Sequence, residues 1–446
     1  MTEETLSLLN RHPWVGDARW NPDRTAITVR PAAAAVALRP TPGPLLAEHL
    51  EHWQHVYEFV YSSDRDRHGD DLDLSGWRAS DTGEPFPREH MLEWIGHAVG
   101  LVLRSKPRVV LEIGCGSGLL AHRIQPHTDA YIGLDVAAPV VERLRAQLGP
   151  GTAVLRAAAH ELATPPVLAA LRAVDPDRAA PDCVVLNSVT QCFPDQRYLA
   201  AVVGDALDLV AAGGTVVVGD IRNLASAPAF AHWLESTRNP GLSSTDLAAR
   251  VERRLATDEE LLCAPEAFAR IGEDHRRDVR IAVHAKPFRT DTELTRYRYD
   301  VVYTVEAPPT PPSRTVAWAD LTGSVEHRLD TLPEGTTHVT GIPNALLSTT
   351  DSGSADAVTP ARLAAAAPIG WSVQFDSADG SRLAVCAPEH STRTLLSDSG
   401  TPAVCNDPFA RFVRRRLPEV LTDHLTRQLP AAPIPRIVVT EEPDQP

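Results

Sequence analysis

The sequence predicts an α/β chain, a mostly parallel Rossmann-like sheet with helices on both faces and a small accessory α/β region after it. Three observations predict it. The stretch 107–135, PRVVLEIGCGSGLLAHRIQPHTDAYIGLD, reads as strand, glycine turn, helix and strand. Three more apolar runs, at 151–157, 183–186 and 215–218, alternate with helical patterns. Strands that alternate with helices pair in parallel, with the helices covering both faces.

Each element has its own reason. Residues 109–113 are apolar and β-branched, as a buried strand requires. Gly114, Gly116 and Gly118 follow at once, where a sharp turn needs residues without a Cβ. The helix is expected from 119, and a second strand, 130–134, ends in Asp135. The strand at 183–186 ends in Asn187 and Ser188; that at 215–218 ends in Gly219, Asp220, Ile221 and Arg222. Helices are expected at 140–148, 166–173 and 198–210, and closing strands at 279–285 and 297–305. Upstream, 2–10 reads as a helix, 12–20 and 25–31 as strands, and 32–44 as an Ala/Pro-rich linker. Residues 45–61 and 91–103 read as helices. Between them, 62–87 lacks periodicity and reads as a loop or lid carrying an isolated Trp77. A proline-rich break at 307–312 precedes short strands at 337–339, 371–375 and 383–386. From Asp407 a charged helix is expected to pack Phe412, Val413, Leu417, Val420 and Leu421, with Arg414 to Arg416 on its wetted face.

Composition narrows the function classes. At 446 residues about two or three domains are expected. A formal net charge of -15 argues against a nucleic-acid substrate, since phosphates need a basic surface. The six cysteines are scattered without CxxC spacing, so neither a zinc site nor a disulfide framework is expected. No HxH or HExxH cluster suggests a metal. The start, MTEETLSLLNRH, has no basic region followed by an apolar core, so no signal peptide is expected. No run of eighteen apolar residues suggests a membrane span, and the cytoplasm is the expected location.

In a sheet of this kind ligands lie beyond the carboxyl ends of the strands. Three strand ends carry polar groups there: Glu112 with the glycine turn, Asn187 with Ser188, and Asp220 with Arg222. Asp135 is placed to accept from a ribose diol. The loop continues as GSG, not toward a pyrophosphate cradle, which favours S-adenosylmethionine over a dinucleotide. On this reading Glu112, Gly114, Cys115, Gly116, Gly118, Asp135, Asn187 and Ser188 hold the cofactor. Asp220, Asp81 or Glu84 orients the acceptor or takes its proton.

Six separated stretches then resemble one family. LSGWRASDTGEPFP, VVLEIGCGSGLL, YIGLD, VVLNSVTQCFP, VVVGDIRN and ELTRYRYDVV resemble the S-adenosylmethionine-dependent N-methyltransferase domains embedded in nonribosomal peptide synthetases. The similarity covers about 45–305, and VTGIPNALL extends it into an accessory region, 313–395. The flanks, 1–31 and 406–446, resemble the two halves of the small subdomain of an adenylation domain. The resemblance implies that these ends pack together and that the chain is a stand-alone methyltransferase. It implies N-methylation of an amino acid or small amine, free or presented on a carrier protein, in peptide-antibiotic or related biosynthesis. It also puts Gln191 and Arg222 beside Asp220 among the acceptor-side candidates. Gln191, Cys192, Phe193 and Pro194 stand where the family has QYFP; Arg78 and Asp81 replace its Asn and Tyr in GWNSSYTG. Those two changes suggest a charged acceptor. Rival readings are O- or C-methylation, a catalytically silent docking module, and a dinucleotide oxidoreductase.

Overall fold

A computed structural model describes residues 2–63, 71–74, 76–176, 180–308, 314–347, 356–376, 379–388, 404–430 and 432–440. The lid expectation at 64–70 and 75, and the proline-rich break at 309–312, lie outside them. Two compact units are present. One takes in the chain up to Val56, Phe193–Tyr198 and the residues from Asp407; the other takes in Tyr57–Cys192 and Leu199–Asn406.

The strands are β1 (Val15–Trp20), β2 (Ala26–Pro31), β3 (Val109–Ile113), β4 (Ala130–Asp135), β5 (Thr152–Arg156), β6 (Cys183–Asn187), β7 (Thr215–Arg222), β8 (Val279–Ala285), β9 (Arg298–Val305), β10 (Thr315–Ala317), β11 (His338–Pro343), β12 (Ser372–Phe375), β13 (Arg382–Cys386) and β14 (Arg436–Val439).

In the first unit β2 pairs antiparallel with β1 and parallel with β14, so the two ends of the chain share one sheet. The helix Pro408–Gln428 starts at Asp407, whose carboxylate accepts from the Ala410 N–H at 2.7 Å. Val413, Leu417, Leu421 and Leu425 recur every four residues along one face and are buried with Leu9, Ile27, Val29 and Leu45.

The second unit holds the large sheet, in the order β10-β11-β13-β12-β8-β9-β7-β6-β3-β4-β5. From β5 to β7 it is parallel; β9 and β8 close it antiparallel. Every residue of β3, β4 and β6 is buried, which is why their sequences run apolar without alternation. The helix Arg88–Leu103 packs on β6 and β7, and Ala138–Gln147 on β4 and β5.

Two features differ from the sequence expectation. The strand expected to end at 218 runs on to Arg222, through a register shift between Val218 and Ile221. Gly219 and Asp220 form that bulge, with Asp220 at φ 60°. The accessory strands do not stand apart. A single pairing of Gln374 with His284 joins β12 to β8 and continues the main sheet.

Candidate functional site

The glycine loop is set by its neighbours. Gly114, Gly116 and Gly118 all have positive φ (71°, 50° and 88°), a region costly for residues with a Cβ. A Cβ on Gly114 would lie 2.4 Å from Val189, and one on Gly116 would lie 2.8 Å from the Tyr61 hydroxyl. The loop amides are satisfied internally: Gly114 and Cys115 donate to the Leu134 carbonyl at 2.7 and 3.0 Å. Gly116 N–H donates to Asp135 Oδ2 at 2.9 Å, and Ala137 N–H to Oδ1 at 2.8 Å. Each carboxylate oxygen accepts more than one bond, so Asp135 keeps lone pairs for a diol. Burial raises its pKa against those backbone bonds.

Glu112 needs a corrected role. It is 2% exposed, inside the sheet, and accepts from the Tyr131 hydroxyl at 2.6 Å. Burial pushes its carboxyl up to about 8, against the Tyr131 hydrogen bond, which favours the neutral acid over a charged handle. Cys115 turns its thiol inward, into a cluster with Val140, Val141, Leu144 and Val154. It shapes the loop from behind.

At the end of β6, Asn187 lies against β7: a Cβ on Gly219 would fall 2.1 Å from its Oδ1. Ser188 has φ 56° and donates its hydroxyl proton to Asp220 Oδ2 at 3.0 Å. Gln191 Nε2 donates to the Ser188 carbonyl at 2.8 Å and to its Oγ at 3.2 Å.

Asp220 is fully buried. Trp94 Nε1 donates to Oδ1 at 3.0 Å, Arg298 Nη1 to Oδ2 at 2.7 Å, and Lys286 Nζ lies 3.5 Å from Oδ1. Burial raises a carboxyl's pKa, but Arg298 and Lys286 outweigh it and hold Asp220 below the usual range. A carboxylate so held is a fixed anion, which favours orienting over proton-taking among the two roles expected of it. Lys286 also meets Asp300 at 2.6 Å, and Asp300 meets His97 at 2.8 Å. Against burial, Lys286 and His97 hold Asp300 far below the carboxylate range.

Arg222 is committed elsewhere. It bonds both oxygens of Asp258 at 2.9 and 2.8 Å and Glu260 at 2.7 Å. Two acids neutralise it, so it clamps the 258–263 segment and is no free cation for a substrate. Asp81 and Glu84 sit in a hairpin turn in which Ala79 N–H donates to the Glu84 carbonyl. Glu84 is exposed, and Asp81 accepts from the adjacent Thr82 N–H at 2.9 Å. Arg78 donates to the Gly83 carbonyl at 3.0 Å. The acid that reaches this hairpin from the body of the unit is Glu293, which accepts from Ser80 N–H and Oγ at 2.9 and 2.8 Å. Trp77 anchors the hairpin, its ring 4.4 Å from that of Trp94.

Sequence reasoning missed Tyr57, Tyr61, Trp94, Lys286, Glu293, Arg298 and Asp300. Tyr57 and Tyr61 stack at 5.9 Å, and Cys192 Sγ lies 3.5 Å from the Tyr57 hydroxyl. Their spacing, one helical turn apart, was a visible signal. So was Asp300, an acid inside the apolar run of β9. Among the described residues no group of three or more His, Cys, Asp or Glu could hold a metal ion, and no helix is long and apolar enough to cross a membrane.

This is the Rossmann-like fold of class I methyltransferases, and residues 111–216 match a family model described as a methyltransferase domain. By that match the chain carries a methyltransferase domain, and the donor such a domain uses is S-adenosylmethionine. Gly116, without a Cβ beneath Tyr61, and Asp135 with lone pairs to spare fit that group. Among relatives, the probable non-canonical nonribosomal peptide synthetase CymA of Salinispora arenicola is 40% identical over 259 residues, 57% of this chain and 3% of the relative. Chondramide synthase cmdD of Chondromyces crocatus is 29% identical over 502 residues, 98% of this chain and 12% of the relative. The chain therefore spans only a small part of each. The solved N-methyltransferase NodS of Bradyrhizobium japonicum WM9 aligns with 50% of this chain and 98% of its own, at 13% identity and a TM-score of 0.31.

Proposed function

We propose that the chain methylates the nitrogen of an amino acid or small amine, free or carrier-bound, in nonribosomal-peptide or related specialised metabolism, in the cytoplasm. The observation that carries this reading is its likeness over nearly its whole length to a peptide synthase, with a methyltransferase domain in the middle. On the same ground, the unit built from the two chain ends is read as an adenylation-type small subdomain.

S-adenosylmethionine supplies an electrophilic methyl whose leaving group is a neutral thioether. The chain's residues do the rest. The loop Gly114–Gly118 and Asp135 hold the donor's amino-acid tail and ribose, with Tyr61 above the loop. Asn187 and Ser188 stand at the neighbouring strand end, where the acceptor arrives. Asp220 orients Ser188 and takes no proton. Arg78 and Asp81 satisfy their own hairpin, so they do not argue for a charged acceptor.

The test is methyl transfer from labelled donor to free amino acids and to the same residues loaded on a carrier, with calorimetry for S-adenosylhomocysteine. Binding of that product and label on nitrogen are expected. No heat with donor or product would end the reading; label on oxygen or carbon alone would move it to the rival chemistry.

A further inference from the structure

We propose that Ser188 Oγ and Gln191 Oε1 form an acceptor-only pair that receives the N–H groups of the substrate, so that the nucleophile is an amine bearing hydrogen and not a hydroxyl or a carbanion. This deepens the methyltransferase reading above and rests on it.

The argument is one of hydrogen-bond polarity. An ionised carboxylate can only accept. Asp220, enclosed by Arg298, Lys286 and Trp94, therefore takes the single proton of Ser188. That leaves the serine oxygen with lone pairs alone, one of which is occupied by Gln191 Nε2. The same Nε2 faces the Ser188 carbonyl, which is also only an acceptor. The orientation of the amide is thereby fixed, with Oε1 on its other side. Gln191 Oε1 is buried and meets no donor, in a residue 6% exposed. A buried carbonyl without a partner is costly and rare, and a ligand donor is one way to satisfy it.

The backbone agrees. Ser188 and Asp220 both occupy the left-handed region without being glycine, and such strain concentrates where a side chain must be aimed. A primary amine brings two N–H donors for two acceptors; a hydroxyl brings one and an enolate carbon none. With its hydrogens engaged, the nitrogen lone pair is left free to attack. The N–C bond then forms as the S–C bond breaks, the bonding pair stays on sulfur, and the surplus N–H proton leaves to water.

Three probes of one shape separate the cases: the alanyl, lactyl and acetoacetyl thioesters of N-acetylcysteamine. The full chain is expected to methylate the first and neither of the others. Calorimetry on the chain loaded with S-adenosylhomocysteine reads alanyl binding apart from turnover. Ser188→Ala and Gln191→Met are each expected to weaken that binding about ten- to a hundredfold; S-adenosylhomocysteine affinity of Gln191→Met, which is outside the cofactor set, changes less than about threefold. Alanyl binding unchanged in both variants overturns the inference alone; methylation of the lactyl or acetoacetyl probe, or no transfer to the alanyl probe by a chain that binds S-adenosylhomocysteine, overturns it together with N-methylation and leaves the methyltransferase reading standing. No S-adenosylhomocysteine binding by the unaltered chain overturns the inference and the methyltransferase reading together.

Discussion

Lys286 is one of two lysines in the sequence, and it is 1% exposed. It lies between two carboxylates that are buried as completely, Asp220 and Asp300; Arg298 pairs with the first and His97 meets the second. Its role is positional: it keeps Asp220 an acceptor and so keeps the Ser188 proton turned inward. Lys286→Met leaves both buried carboxylates short of a cation. The variant is expected to be destabilised by roughly 3–5 kcal/mol. Melting curves check this, and Lys286→Arg, which retains the charge, should recover most of the loss. A second residue test concerns the loop. Gly116→Ala forces a Cβ into the left-handed region and to within 2.8 Å of the Tyr61 hydroxyl. Titration should show S-adenosylhomocysteine affinity falling at least about tenfold, from strain of order 1–3 kcal/mol.

At the scale of elements, the hairpin 77–86 is fastened to its unit at named points. Trp77 packs on Trp94, and Ser80 gives two hydrogen bonds to Glu293, the first residue of the helix Glu293–Arg296. Bonds to a charged acceptor are worth about 1.5–3 kcal/mol each, enough to decide whether so short a turn stays docked. Glu293→Ala should speed hydrogen exchange at 77–86 and raise KM for the acceptor several-fold, with donor-product affinity kept. Exchange no faster than in the parent chain would show that Trp77 alone fixes the turn. The parallel strands were legible in the sequence because burial on both faces writes itself as an apolar run. Partners in space were not: Glu293 is 213 residues from Ser80, and Lys286 is 66 residues from Asp220. Nor was the bulge at Gly219 and Asp220, since a glycine followed by an acid reads equally as the end of a strand. Arg222 was misread for a related reason. A conspicuous arginine at a strand end resembles a ligand group until Asp258 and Glu260 are seen to neutralise it.

At the scale of the molecule, the two units each bury a histidine, and both burials act in the same direction. In the first, His49 is 5% exposed, edge-on to Phe409 and Phe412; burial, and then the nearby His52, depress its pKa to about 4. In the second, His284 on β8 is 5% exposed, and burial with Arg104 depresses its pKa to about 3. An unfolded histidine takes a proton near pH 6.5, so below that value the unfolded chain binds protons that the folded units refuse. The contribution of these two groups therefore falls as pH drops from about 6.5, until each site's own pKa is reached near 4 and near 3. The slope contributed by one such group is at most about 1.4 kcal/mol per pH unit. Calorimetric melting between pH 7 and 4.5 should show the first unit losing stability over this window, while in the second Glu112, its carboxyl pushed up to about 8, opposes His284. His49→Leu fits its aromatic surroundings and should flatten the pH dependence of the first unit alone; His284→Gln should make the second gain stability as pH falls. If neither substitution changes the slope, the acid sensitivity has another source, and the folded units hold these two rings more wetted than their burial implies.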